Sequence, residues 1–277
     1  MILENSGLVD IAKVSPLEFR EHVARCPAVT MAIGSIEWHN AHLPLGLDTL
    51  KADALCRRIA NEMGCFAAPP IFYGYPYHFS QSGLMPTMCC DLDALQKYLT
   101  SIFRSFHAIG FRVVFVLSGH YENLQLLTIR SAAQIAMDEC PNLSVITHME
   151  PELTFLEGYM GDHAGPYETS LALAMFPELV NLGADPKSAE WEPVGEDNQK
   201  LKDPGWKNWA IHLEETKKTS SAEYGEKVAG VVVTKAIEEI RFALEHPGWN
   251  PPRSWSFTEN DWAKLAEMVK QKRDLEP

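Results

Sequence analysis

Three short stretches of the chain gather side chains that bind cations or move protons. Residues 34–48 read Gly-Ser-Ile-Glu-Trp-His-Asn-Ala-His-Leu-Pro-Leu-Gly-Leu-Asp. Glu37 and His39 are two apart, so an extended backbone turns both to the same side. Asp48 closes the stretch just before a helical pattern begins. Carboxylate oxygens with an imidazole form a donor set that suits Zn²⁺ or Mn²⁺. Taken singly, Asp48 could be a helix cap and His42 an ordinary hydrogen-bonded loop histidine. Their clustering in one loop behind a strand is what points to a site. Residues 118–123, Ser-Gly-His-Tyr-Glu-Asn, repeat the arrangement. Gly119 permits a sharp turn. His120 then stands at a strand end. Glu122 falls in the first helical turn, where the helix dipole favours a carboxylate. In residues 161–170 small residues surround His163 and Glu168, which are five apart. A loop histidine and a helix-start carboxylate account for that pair equally well.

Positioning these groups requires strands that end where the three stretches begin. Residues 28–33 read as a buried strand, and 66–71 as a short second one broken by Pro69 and Pro70. The run 111–117, Phe-Arg-Val-Val-Phe-Val-Leu, is nearly continuous in apolar character, as in a parallel sheet covered on both faces. Residues 143–147 are the next strand. Helical periodicity marks 50–63, with Leu50, Ala54, Leu55, Ile59 and Met63 on one face. It marks a second helix that Asp91 caps and Gly110 stops. Further helices are expected at 123–139, 168–175 and 223–244. This alternation predicts a three-layer α/β/α sandwich with a mostly parallel central sheet, one domain spanning 1–277. In such folds ligands gather at the carboxyl ends of the strands, where the first two stretches lie; the third has a weaker strand-to-loop context. Residues 177–205, rich in Pro, Gly and acids, read as a surface loop. The tail 246–277 carries Trp249, Trp255 and Trp262, which suggests packing onto the body or onto a neighbouring subunit.

Composition narrows the classes. The chain has 277 residues, 46% apolar and 22% charged, and a formal charge of -13. That acidity argues against a nucleic-acid partner, whose phosphates call for clustered Lys and Arg. No apolar run has the roughly 18 residues of a membrane span. Cys26, Cys56, Cys65, Cys89, Cys90 and Cys140 form no CxxC pair, so they read as reduced thiols. The N-terminus shows no signal-peptide pattern, and a cytoplasmic location is expected.

Together the three stretches resemble the creatininase (creatinine amidohydrolase) family. Its pattern is approximately G-S-x-E-Q-H-G-P-H-L-P-L-G-T-D, then N-G-H-G-G-N, then H-A-G-x-x-E-T-S. Here these stand as GSIEWHNAHLPLGLD, SGHYENL and HAGPYETS. The resemblance spans roughly 25–240. The Tyr-Glu variant of the second motif is similar to that of creatininase itself. It implies two divalent metal ions per chain, Zn or Mn, held by Glu37, His39, Asp48, His120 and Glu168, with Asp48 bridging. Glu122 would be a ligand or a proton shuttle, and His163 would face the substrate. Tyr121, Trp38 and His78 would border the substrate. The segment Ser221-Ala-Glu-Tyr-Gly-Glu looks like the family's late A-x-x-G-E element. Trp38, Asn40, Ala41 and Leu47 depart from the pattern, and Tyr159 and Met160 replace an expected Trp-Asp pair, so the substrate is less determined than the metals.

The implied activity is hydrolysis of a C–N bond in a small, probably cyclic, amide such as creatinine, by water that the metals activate. Two alternatives stay open: a metal-dependent isomerase or dehydratase of a polyol or keto-sugar, or a non-catalytic metal- or ligand-binding protein. The expected partners are a small-molecule substrate and further copies of the chain in a homo-oligomer, a hexamer being one candidate. Neither nucleic acid nor membrane is expected.

Overall fold

The computed structural model describes residues 10–76, 86–185 and 206–249, with the backbone alone for 206–211. Its core is a sheet of four parallel strands in the order β2-β1-β3-β4: β1 (Ala28–Ile33), β2 (Phe66–Ala67), β3 (Val113–Ser118) and β4 (Ser144–Met149). Every residue of β1, β3 and β4 is buried, which explains the near-continuous apolar runs. Alternate side chains serve opposite faces. Val113, Phe115 and Leu117 pack with Leu55 and Ile59 of α2 (Leu47–Met63) and with Val228, Val232 and Ile240 further along the chain. Val114 and Val116 face the other way, toward Leu99 and Phe103 of α3 (Leu92–Ala108) and Ile129 of α4 (Asn123–Glu139). Helices therefore cover both faces, as the three-layer expectation requires.

The local rules mostly hold. Asp91 accepts from the Ala94 amide and starts α3. The chain turns after α3 at Gly110, at φ 109°. β2 is shorter than the expected 66–71. Pro69 and Pro70 offer no amide to a ladder, and pairing resumes only as a single bridge between Ile33 and Ile71. Helix α2 begins three residues earlier than its apolar face suggests. Helix α1 (Pro16–Arg25) has no counterpart among the expected helices, although its signal is local. Ser15 and Glu18 form a reciprocal capping box with Pro16 at the first position. A five-residue helix, Glu150–Thr154, directly follows β4. Further helices among the described residues are Pro166–Met175, Trp206–Thr219 and Ala222–Glu245. Gly225 lets the last of these press against Pro166–Met175, since a Cβ there would lie 1.9 Å from the Ser170 carbonyl oxygen. His148 of β4 ties the sheet to the same long helix through Glu239, at 2.7 Å. Of the tail tryptophans, Trp249 packs edge-on against Phe242, with centroids 4.8 Å apart. Trp255 and Trp262 lie outside the described residues, as do positions 186–205 of the expected loop. No helix among the described residues is long and apolar enough to cross a membrane.

Candidate metal centre

Strand register sets the site. Ile33 pairs with Ser118 and Ser118 with Met149, so β1, β3 and β4 end level with one another. The first turn of α2 is wedged against the loops that leave β1 and β3. Gly119 is needed for that close approach, not for a left-handed turn. A Cβ on it would lie 1.9 Å from the Asp48 carbonyl oxygen.

The wedge carries Asp48 into a ring of acids and imidazoles. Its Oδ1 lies 3.0 Å from His39 Nε2, and its Oδ2 lies 3.2 Å from His120 Nδ1. The capping role that Asp48 could have had is not the one it plays, for α2 starts without a side-chain cap. His120 Nδ1 is also 2.8 Å from Glu37 Oε2, and His39 Nε2 is 3.6 Å from Glu168 Oε2. Two groups of potential cation donors result. One is Glu37, Asp48 and His120; the other is His39, Asp48 and Glu168. Each group's donor atoms lie within 4.8 Å of one another, and Asp48 belongs to both. Glu37, His39 and His163 form a third, overlapping group.

The hydrogen bonds around this cluster favour a cation over a proton network. His39 Nδ1 sits 3.0 Å from the Glu37 carbonyl, which can only accept, so Nδ1 carries the hydrogen. That leaves Nε2 facing the Asp48 and Glu168 carboxylates, where it can carry a second hydrogen or hold a cation. Nε2 is buried and makes no hydrogen bond, and the same holds for Glu37 Oε1 and His120 Nε2. A histidine that donates one ring nitrogen to a backbone carbonyl and aims the other at carboxylates has the orientation of a metal ligand. The Ser35 hydroxyl lies 2.6 Å from Asp48 Oδ2 and 3.0 Å from Glu37 Oε2, so its single hydrogen bridges the two acids.

Charge is held under tension here. Burial lowers the basicity of His39, but Asp48, Glu168 and Glu37 outweigh it and raise its pKa to about 9. Burial pushes Glu168 up to about 7, against the pull of Lys51 and His39. Burial also opposes ionisation of Asp48, yet His39, His120 and Lys51 hold it well below the usual carboxylate range. Divalent cations among three carboxylates and two imidazoles would satisfy all five groups at once.

One further charged residue was not singled out from the sequence. Lys51 is fully buried. Its Nζ lies 3.1 Å from Glu150, 3.2 Å from Glu168 and 3.8 Å from Asp48, and it donates to the Gly119 carbonyl. It also stands 4.5 Å above the ring of Tyr121. The signal was present: Lys51 falls four residues after Leu47 and four before Leu55, on the apolar face of α2. Its partner Glu150 sits at the end of β4, where nothing local marks it.

A profile of the creatininase family, described as creatinine amidohydrolase, matches residues 12–240. The chain belongs to the creatininase family. It is 28% identical over 260 residues to the creatinine amidohydrolase of Pseudomonas putida, covering 82% of this chain and 95% of that one. It is 30% identical over 173 residues to a 3-dehydro-scyllo-inosose hydrolase of Thermotoga maritima, covering 59% and 55% of the two chains. A solved manganese creatininase superposes with a TM-score of 0.68 at 26% identity, over 84% of this chain and 98% of its own. A zinc-zinc form of a creatininase variant gives 0.67 at 25%, over 84% and 97%. As a family member the chain is a metal-dependent hydrolase.

Within this creatininase-family chain the three sequence stretches do meet. Asp48, His120, Tyr121, Glu122, Asp162, His163 and Glu168 line one cleft of about 160 Å³. Glu122 is half-buried and directly precedes α4. His163 Nε2 donates to the Trp38 carbonyl at 2.9 Å, and burial pushes the imidazole well below its ordinary pKa. Trp38 is 4% exposed and is not among the cleft's lining residues; its ring stacks behind His163, with centroids 6.5 Å apart. His42 is the hydrogen-bonded histidine that its position allowed, with Nε2 2.9 Å from Thr169 Oγ1. Asp162 accepts from the amides of Gly165, Tyr167 and Glu168 and so caps the helix that carries Glu168. His78 lies outside the described residues.

Proposed function

We propose that the chain is a binuclear-metal amidohydrolase that cleaves the C–N bond of a small, cyclic amide of the creatinine type. The observation that carries this reading is the two-sided placement of Asp48, with one carboxylate oxygen toward His39 and the other toward His120. Glu37 and His120 would complete the protein ligands of one cation, and His39 and Glu168 those of the other. The manganese and zinc-zinc creatininases support Mn²⁺ or Zn²⁺. When bound, such ions acidify water and polarise a carbonyl oxygen.

The remaining work falls to side chains of the cleft. Glu122 stands beside His120 and takes up a proton at its carboxylate, then delivers it to the leaving nitrogen. Proton transfer of this kind contributes about 10²–10⁴ in rate. His163 is kept neutral by burial, and its Nε2 hydrogen is committed to Trp38. From the cleft wall its ring orients the bound amide. Trp38 acts through His163, and Tyr121 forms the wall. A serine nucleophile is disfavoured, because Ser35 is bonded to Asp48 and Glu37 and Ser118 to the His120 carbonyl. A cyclic keto-polyol is the second substrate class, on the strength of the Thermotoga relative. The six free cysteines support a reducing, cytoplasmic setting, and the family resemblance supports a homo-oligomer.

The test is metal content per chain, with creatinine and other cyclic amides turned over before and after chelation. About two ions and chelator-sensitive C–N cleavage are expected. Asp48→Asn is expected to lose at least one ion and the activity together. Two tightly held ions in that variant would overturn the shared-ligand assignment.

A further inference from the structure

Next to the metal cleft lies a second cavity of about 340 Å³, and the two share Tyr121 and Asp162 as walls. Its size sits at the lower end of the roughly 300–1,000 Å³ range of small-molecule sites. The rest of its lining is mainly apolar: Met149, Pro151, Phe155, Tyr159 and Met160. Two of its polar lining groups are already bonded elsewhere. The Tyr121 hydroxyl donates to Glu150 at 2.5 Å, and the Asp162 carboxylate accepts three backbone amides. Asn123 is exposed at the edge. A concave surface that is mainly apolar, with Tyr121 and Asp162 already bonded elsewhere, has few partners for a charged ligand, whose own polar groups would go unpaired on entry. Phe155 and Met160 are nevertheless 46% and 59% exposed, so apolar surface is held open beside the reacting position.

We propose that this cavity is the subsite for an apolar arm of the substrate, a phenyl ring or a branched alkyl chain carried by the amide that is cleaved at the metals. The inference rests on the hydrolase reading above and narrows it. The preferred substrate is an amide with an apolar substituent on the Tyr121 side, and creatinine itself leaves the larger cavity unfilled.

Hydroxamates test the subsite separately from turnover, because they bind metal ions without being cleaved as substrates. Zinc-loaded full-length protein is titrated calorimetrically with acetohydroxamate and with phenylacetohydroxamate, and zinc content and amide turnover are measured on the same samples. The phenyl compound is expected to bind at least about tenfold tighter, the scale on which an apolar pocket discriminates. Met160→Asp and Phe155→Ala each shrink that ratio by at least about threefold. A ratio near one, a ratio that both variants leave intact, or no hydroxamate binding by zinc-containing protein overturns the subsite. The hydrolase reading fails by a different result: two zinc ions bound and no chelator-sensitive cleavage of any amide, substituted or not.

Discussion

Replacing Lys51 by Met is expected to destabilise the metal-free chain and, at the same time, to tighten its hold on zinc. The ammonium is buried among Glu150, Glu168 and Asp48 at 3.1, 3.2 and 3.8 Å. Methionine fills a similar volume but leaves these carboxylates without their cation. Removing one partner of a buried ion pair costs roughly 3–5 kcal/mol. For a chain of this size that is a fall in Tm of about 10 °C, at some 2–4 °C per kcal/mol. Part of the cost is avoided by protonation, since burial already pushes Glu168 up to about 7 and raises Glu150 as well. The deficit should therefore shrink at low pH, where these acids are neutral in the parent protein too. Divalent ions would restore the lost positive charge, and they would meet less repulsion than in the parent. The assay is thermal unfolding with and without zinc, together with zinc affinity by competition against a chelator. The variant should show a larger zinc-induced rise in Tm than the parent. A metal-free Tm within about 2 °C of the parent, or a weakened zinc affinity, refutes the reasoning.

Two further outcomes follow from single distances. Gly119→Ala places a Cβ 1.9 Å from the Asp48 carbonyl oxygen, so α2 must retreat by at least about 1 Å to restore van der Waals contact. Metal content should fall below two per chain, with turnover down about 10²-fold, and two ions at parental affinity would show that the close approach is dispensable. Away from the metals, His148 is held between Glu239 and Glu152, which outweigh burial and raise its pKa from 6.5 to about 9. Arg130 faces the same cluster through Glu152. Because the folded value lies above the unfolded one, the stabilisation is complete below pH 6.5 and is lost as pH rises through about 9. It amounts to about 3 kcal/mol. Urea unfolding across that window should show the loss, and His148→Gln should flatten it; a parent curve without slope between these pH values contradicts the assignment.

Features that depend on neighbours a few residues away are legible in the chain before it folds. The apolar run before Ser118 identified β3 and its burial on both faces. Asp91 marked the start of α3, and the period of 123–139 marked α4 to the residue. Glu37, His39, Asp48 and His120 stand out because they lie in loops behind strands, whose ends converge in an open α/β sheet, whereas Glu168 is singled out only by the resemblance to the creatininase pattern. Ser15 and Glu18 carried an equally local signal that went unread.

Tertiary structure decided the rest, because it depends on the strand order β2-β1-β3-β4, which no local spacing encodes. That order sets β1 against β3 and so brings His39 and His120 to opposite oxygens of Asp48. It turns Gly119 from a hinge into a point of contact. It also delivers Glu150 to Lys51 across about a hundred residues of chain, which converts an apparent flaw in the apolar face of α2 into a buried charge cluster. The apolar cavity beside Tyr121 belongs to the same class. Pro151, Phe155 and Tyr159 are spaced four apart, but that local spacing does not say what they face, and they join Met149 and Tyr121 in one surface only in the folded chain.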